Sequence, residues 1–234
     1  MKLSIIVPVF NEEKTIGEIL QRLAEAELNR VEKEVVVVDD GSTDRTKKLL
    51  AAIEKQSQKE KRFQSFKVIF HPENQGKGAA VRTGLAETSG DYVLIQDADL
   101  EYDPEDISKL LKPIKEGKTE VVYGSRFTGE RRNMFFWHMV GNKLLSLLIN
   151  LLYNTTLSDM EVGYKLINSR LLTGLHLTAN RFDFEPEITA KLLKKGLKIY
   201  EVPISYAGRD YHEGKKITWK DGLKAIWVIL RERF

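Results

Sequence analysis

The 234-residue sequence predicts an α/β fold, a mostly parallel sheet with helices on both faces. Three observations predict it. Short apolar runs alternate with segments whose apolar residues recur at helical spacing, the runs are β-branched and apolar throughout, and polar residues or glycines follow each run. "LSIIVPVF" is the first strand, and "NEEKTIGEILQRLAEAE" follows with Ile16, Ile19, Leu20 and Leu23 on one helix face. "EVVVV" is the second strand, leading into "DDGSTDRTKKLLAAIEK", where Leu49, Leu50 and Ile53 make the expected inward stripe. "FKVIF", the helix "GKGAAVRTGLAET" and the strand at 92–96, "YVLIQ", repeat the rhythm. Asp103 is then placed to cap a helix, Pro104 suits its first turn, and Ile107, Leu110, Leu111 and Ile114 form its buried face.

Composition narrows the function. A formal charge of +3 is too small to suggest nucleic acid as a partner, because Lys and Arg are largely matched by Asp and Glu. With no cysteine there is neither a disulfide framework nor a thiolate metal site, which fits a reducing compartment. The start "MKLSIIVPVF" has no long apolar leader region and already reads as a strand, so the mature chain is expected to begin there.

Ligands of parallel sheets bind beyond the carboxyl ends of the strands. Here those ends read "VFNEE", "VVDDGS", "FHPENQGKG" and "IQDAD". Asp97 and Asp99 sit two residues apart where a strand leaves the sheet, before the helix that Asp103 caps. Nearby carboxylates repel unless a cation lies with them, and oxygen ligands of this kind suit Mg²⁺ or Mn²⁺. A divalent ion carried by a diphosphate answers that requirement, although an Asp-x-Asp pair that only caps a loop is also common.

Read in order, "SIIVPVFNEEKTI", "VVVVDDGSTDRT", "NQGKGAAVRTG", "DADLEYDPEDI" and "VYGSRF" resemble the motifs of inverting family 2 glycosyltransferases. The later "SDMEVGYKLI", "RFDFEPEITAKLLKKGLKIYEVPISY" and "GRDYHEGKKITWKDG" are similar to the dolichyl- or polyprenyl-phosphate mannose and glucose synthase branch. The resemblance implies the GT-A fold, a Rossmann-like sheet in a single domain, with a nucleotide-sugar half at 1–105 and an acceptor half at 106–234. It implies that Pro8, Phe10, Asn11 and Glu12 close over the nucleoside and that Asp39 hydrogen-bonds the base or ribose. Asp40 and Ser42 are explained equally well by an Asp-Gly turn. Gly76, Lys77 and Gly78 join the donor-binding set, the glycines through close backbone approach, as do Asp97, Ala98 and Asp99. The same resemblance makes Asp97 and Asp99 the metal and diphosphate pair, with Glu101 a further metal ligand where some relatives carry glutamine. Arg126, with Arg131 or Arg132, would grip an acceptor phosphate, and Arg209 with Lys215 or Lys216 would join the phosphates as a loop closes. Asp159, Asp183 and Glu185 would shape the sugar pocket. His71, His138, His176 and His212 show no ligand spacing and read as packed or solvated.

The implied reaction moves a hexose from a nucleotide diphosphate to polyprenyl phosphate, with mannose from GDP-mannose ahead of glucose from UDP-glucose. Two alternatives stay open: transfer to a hydroxyl acceptor, where Glu185 is the available base, and a nucleotide-sugar-binding module without turnover. An isoprenoid acceptor predicts contact with a bilayer. Residues 134–153, "MFFWHMVGNKLLSLLINLLY", are very apolar but interrupted by His138, Asn142, Lys143 and Asn150, which suits an interfacial helix better than a span. A second candidate lies near 218–233. There Trp219, Leu223, Ile226, Trp227 and Leu230 fall on one face, to lie in a headgroup layer or, as the ordinary reading has it, to pack on the sheet. The Gln-x-x-Arg-Trp motif of processive relatives is absent from the sequence. The expectation is a peripheral protein on the cytoplasmic face of the membrane, alone or with a separate membrane-anchor subunit.

Overall fold

The computed structural model describes residues 1–60, 62–132, 134–209 and 219–234, the side chains of Gln58 and Trp219 excepted. Its sheet has seven strands: β1 (Lys2–Val9), β2 (Glu32–Asp39), β3 (Ser65–Phe70), β4 (Tyr92–Ile95), β5 (Val121–Ser125), β6 (Lys165–Asn168) and β7 (Tyr200–Pro203). They lie in the order β3-β2-β1-β4-β6-β5-β7. The first four are parallel, β6 runs antiparallel to both β4 and β5, and β7 is parallel to β5. Leu3 to Val7 of β1 and Val35 to Val38 of β2 are buried without a break. Successive strand residues point to opposite faces, so uninterrupted burial means that both faces are covered.

Eight helices are found among the described residues: α1 (Ile16–Glu25), α2 (Thr46–Glu60), α3 (Lys77–Leu85), α4 (Ile107–Lys115), α5 (Phe136–Tyr153), α6 (Ser169–Thr173), α7 (Phe184–Lys194) and α8 (Trp219–Arg233). The expected stripes of α1 and α4 are all buried. The stripe expected of α2 is only partly so: Leu50 is fully buried, while Leu49 is 38% exposed. Consecutive helix residues diverge by about 100°, and in α2 it is Leu50 of this pair that faces the core. Asp103 caps the turn Pro104–Asp106 before α4 through the backbone N–H of Glu105 at 3.1 Å, as the sequence implies.

α5, α7 and α8 pack on one another around Leu145, Ile149, Met160, Ala190, Ala225 and Ile229. Here the ordinary reading of the C-terminal helix fails. α8 buries Ala225, Val228 and Ile229, whereas Leu223, Ile226, Trp227 and Leu230, the residues expected on the sheet, point outward. Its inner face is made of smaller residues because it docks closely on α7 and α5, and its larger apolar residues are left for solvent. α5 likewise exposes Phe136, Trp137, Leu144, Leu147 and Leu151. Among the described residues no helix is long and apolar enough to cross a membrane.

α3 lies close on the sheet because Gly84 carries no side chain. A Cβ there would stand 2.6 Å from Cγ2 of Ile6 and 3.4 Å from Cγ2 of Val38. That contact sets the height of α3, and so the position of Lys77 at its first turn. Gly84→Ala is therefore expected to destabilise the fold by about 1–3 kcal/mol through overpacking. Urea denaturation measures it, and an unchanged midpoint would mean that α3 is free to lift.

Candidate active site

The carboxyl ends of β1, β2 and β4 and the start of α3 meet at one edge of the sheet. The loop after β1 is fastened to the loop after β2: the backbone N–H of Asn11 donates to Oγ of Ser42 at 2.9 Å, and Asn11 Oδ1 accepts the N–H of Thr43 at 2.8 Å. Asn11 adopts φ 53°, a left-handed conformation that asparagine tolerates better than most residues. Its side chain thus shapes the loop, with Pro8 and Phe10 partly exposed beside it. At the end of β2 the two aspartates divide their labour. Asp40 accepts the N–H groups of Gln75 at 2.9 Å and Gly76 at 2.7 Å, and pairs with His71 Nδ1 at 2.8 Å, so it holds the loop before α3. Asp39 is only 1% exposed, yet among the described residues neither of its carboxylate oxygens has a hydrogen-bond partner. A buried carboxylate without partners is costly, and such a group in a native fold calls for a ligand.

After β4 the carboxylates are met by cations. Lys77 Nζ lies 2.7 Å from Asp97 Oδ1 and 2.8 Å from Glu185 Oε1. Burial works against its charge, but Asp97 and Glu185 outweigh it and hold the ammonium well above the ordinary lysine range. Arg209 reaches Asp99 Oδ2 at 2.8 Å and both oxygens of Glu12 at 3.1 Å, while its backbone N–H donates to Glu101 Oε1 at 2.9 Å. Glu101 Oε2 also accepts the hydroxyl of Tyr206 at 2.9 Å. Burial, then the charges of Asp97 and Glu101, push Asp99 up to about 7. Such crowding of oxygen donors suits a hard divalent cation, which needs only one or two protein carboxylates when substrate phosphates complete its shell. Asp97 and Asp99 are the residues that would hold one. Glu101, expected as a third ligand, is turned to Tyr206 and Arg209. Among the described residues no group of three or more such side chains is placed to hold a metal by itself.

Deeper in the cleft Arg126 is 7% exposed and grips the fully buried Asp159 by two parallel bonds, Nε to Oδ2 and Nη2 to Oδ1, each 2.7 Å. Asp159, expected to shape the sugar pocket, is the counter-ion of Arg126. The guanidinium also lies 5.4 Å from the ring centroid of Tyr206. Gly163 brings the next loop against the site. A Cβ there would come within 2.5 Å of Asp97 Oδ2 and 3.4 Å of Lys77 Nζ.

Other expected residues are placed differently. The space opened by Gly76 and Gly78 is filled by the chain's own backbone, since a Cβ on either would collide with Asn180 or Ala179. The close approach read from these glycines is therefore made by the segment at 179–180, which Glu187 fixes by accepting the N–H groups of Thr178 at 3.0 Å and Ala179 at 2.8 Å. Asp183 accepts the N–H of Arg181 at 3.0 Å at the start of α7. Arg131 and Arg132 are exposed, and Arg131 Nη1 donates to the carbonyls of Arg126 at 3.2 Å and Phe127 at 3.0 Å. Lys215, Lys216 and His212 lie outside the described residues. Ala98 is buried between the two aspartates.

Sequence reasoning did not single out Tyr102, Glu161, Gly163, Lys165 or Tyr206. Tyr102 stacks on Tyr164 with centroids 5.2 Å apart and tilts against Tyr206 at 5.7 Å, joining two distant segments under the carboxylates. The available signal was a glycine and a lysine, Gly163 and Lys165, flanking Tyr164 at the start of a strand.

Residues 4–174 match the family described as Glycosyl transferase family 2. The chain is 32% identical over 219 residues to a dolichol-phosphate mannosyltransferase of Pyrococcus furiosus, covering 92% of this chain but only 59% of that protein. It is 31% identical over 239 residues to a UDP-N-acetylglucosamine–dolichyl-phosphate N-acetylglucosaminyltransferase of Methanococcus voltae, covering 97% and 94% respectively. Among solved structures, a Mycobacterium tuberculosis glucosyl-3-phosphoglycerate synthase crystallised with Mn²⁺, UDP and glucosyl-3-phosphoglycerate superimposes with a TM-score of 0.75 at 22% identity. The match covers 99% of this chain and 79% of that one, and the shared architecture is the GT-A fold. The sheet topology agrees with this shared architecture, and the chain belongs to glycosyl transferase family 2.

Proposed function

We propose that the protein transfers a hexose from a nucleoside diphosphate to a polyprenyl phosphate at a membrane surface, with inversion. The observation that carries the donor side is Asp39, buried with two unpartnered acceptor oxygens beside the strand-end carboxylates. Guanine presents two adjacent N–H donors along one edge and uracil a single ring N–H, so two oxygens favour the guanine nucleotide, and GDP-mannose leads UDP-glucose as donor. Asp97 and Asp99 would hold Mg²⁺ or Mn²⁺, which when bound neutralises charge on the departing diphosphate. Arg209 is the nearest guanidinium for the same phosphates, and Lys77 keeps Asp97 oriented.

On the acceptor side, Arg131, Arg132 and Lys143 form a basic rim between Arg126 and the exposed face of α5. Lys143 Nζ sits 3.7 Å from the centroid of Phe127 and donates to the carbonyl of Ser158 at 3.2 Å. A phosphate there is already anionic and attacks without a general base. Its isoprenoid tail would leave along the apolar side chains of α5 and α8, whose exposure supports a peripheral site at the cytoplasmic face of a bilayer, with or without an anchoring subunit. A hydroxyl acceptor is the second reading, favoured by one observation: Oε2 of Glu185 is buried without a partner and could take a proton.

Purified protein with Mn²⁺, GDP-mannose or UDP-glucose, and either polyprenyl phosphate or a polyprenol is the direct test. Release of nucleoside diphosphate that requires the phosphate is expected; release with the alcohol alone would select the second reading. Asp99→Ala should nearly abolish this turnover and weaken Mn²⁺-dependent donor binding, and wild-type rates would remove the metal role. Asp39→Asn leaves one acceptor in place of two, and thermal shift should show GDP binding weakened by about tenfold, with UDP affected less. Equal, small effects on both would mean that Asp39 does not read the base. Sedimentation with anionic vesicles should fall several-fold when Leu144, Leu147 and Leu151 are changed to Ser together, and undiminished binding would retire α5 as the contact.

A further inference from the structure

The loop joining α5 to β6 is pinned along almost its whole length. Leu157 N–H donates to Asn150 Oδ1 at 2.8 Å, Ser158 N–H to Glu201 Oε2 at 2.9 Å, Met160 N–H to Ser146 Oγ at 3.1 Å and Gly163 N–H to the hydroxyl of Tyr102 at 3.1 Å. Asp159 is locked to Arg126. Lys165, 1% exposed, donates Nζ to the carbonyls on either side of Glu161, Met160 at 3.1 Å and Val162 at 2.6 Å. The backbone at Glu161 is therefore held from both sides.

The side chain of Glu161 is treated differently. Its Oε1 is buried and, among the described residues, has no hydrogen-bond partner. The residue as a whole remains partly exposed, so it lies near the protein surface. One other carboxylate of this region behaves alike: Glu185, 5% exposed, gives Oε1 to Lys77 and leaves Oε2 buried without a partner. The charge of each is felt in the same region. Burial first, and next the charge of Glu185, push Glu161 up to about 7, while burial pulls Lys165 down to about 8. Gly163, two residues on, presses against Asp97 and Lys77, so this pair stands immediately beside the carboxylates assigned to the diphosphate. Two buried acceptors left open at that place need two donors, and the group attached to the diphosphate offers hydroxyls.

We propose that Glu161 and Glu185 together accept hydrogen bonds from hydroxyls of the transferred sugar, and that Glu161 on its pinned loop is the residue that sets which sugar fits. The inference rests on the donor reading above and deepens it. A site whose polar groups are fixed before binding rejects a sugar whose hydroxyl points elsewhere, because the acceptor is then left buried and unpaired. Lys165 and Arg126 serve as the positioning cations behind this carboxylate.

Calorimetry of the full chain with Mn²⁺ and GDP, GDP-mannose, GDP-glucose, UDP and UDP-glucose tests it, comparing wild type with Glu161→Gln. Affinity for the bare diphosphate is expected to stay within about twofold, while affinity for its sugar conjugate falls about tenfold and the preference between mannose and glucose shrinks. Equal loss for diphosphate and conjugate, or no loss for either, overturns the proposal and leaves Glu161 as a structural counter-ion or a water site. If Glu161→Gln does not fold, Glu161→Asp keeps the charge opposite Lys165 but withdraws the oxygens by one methylene, and the same comparison applies. Should neither diphosphate bind wild type, the donor reading falls and this inference with it; selective loss or its absence in a chain that binds diphosphate judges Glu161 alone.

Discussion

Like charges crowded into one buried edge would drive a sheet apart, and the architecture is arranged around preventing that. Glu12, Asp97, Asp99, Glu101 and Glu185 come from three separate stretches of chain. Lys77 bridges two of them and Arg209 gathers the other three. Each cation belongs to a segment that must already be packed correctly to reach its partners. Lys77 depends on the seating of α3 over Gly84, and Arg209 on the anchoring of Tyr206 to Glu101. Breaking a buried pair on one side leaves an uncompensated charge and costs far more than the pair contributes when intact. The site and the fold are for this reason difficult to perturb separately.

A second layer repeats the logic. Arg126 with Asp159, and Lys165 with the carbonyls around Glu161, lie beneath the first set of charges. Burial opposes the charge of Arg126, and Asp159 outweighs it, so the guanidinium is held well above its ordinary range. Arg126 is thus committed inside the protein, and the exposed cations of the rim are Arg131, Arg132 and Lys143. An interior pair fixes the floor, while at its margin Arg131 and Lys143 are tied to backbone carbonyls around it.

Much of this was legible in the sequence, and particular residues show where legibility stopped. Alternation of β-branched runs with helical stripes exposed the parallel part of the sheet, because burial on both faces leaves no polar positions to confuse the pattern. Asp97 and Asp99 stood out through their place after a strand. The antiparallel placement of β6 between β4 and β5 had no local signature, since register and direction are settled by long-range packing. Leu49 was misassigned because helical spacing alone does not say how far round the helix the buried face extends, and the outward stripe of α8 because Ala225 is too small to register as a core residue by composition. Glycines showed that something approaches closely but not what: at Gly76 and Gly78 it is the chain's own backbone. Glu161 was invisible because a lone glutamate before Val162 and Gly163 resembles any loop acid until its surroundings are assembled.

The position of β6 has a consequence for biosynthesis. β4 and β5 are not neighbours; the strand from residues 165–168 fills the space between them, and β7 completes the far side of β5. A nascent chain that has emerged only as far as β5 therefore leaves β5 unpaired on both sides and one side of β4 open, a template for self-association between polysomes. Translation must proceed about forty residues further before the gap closes. A pause anywhere in that interval would expose the chain to misassembly, which makes the codons between β5 and β6 a place where elongation speed bears directly on yield.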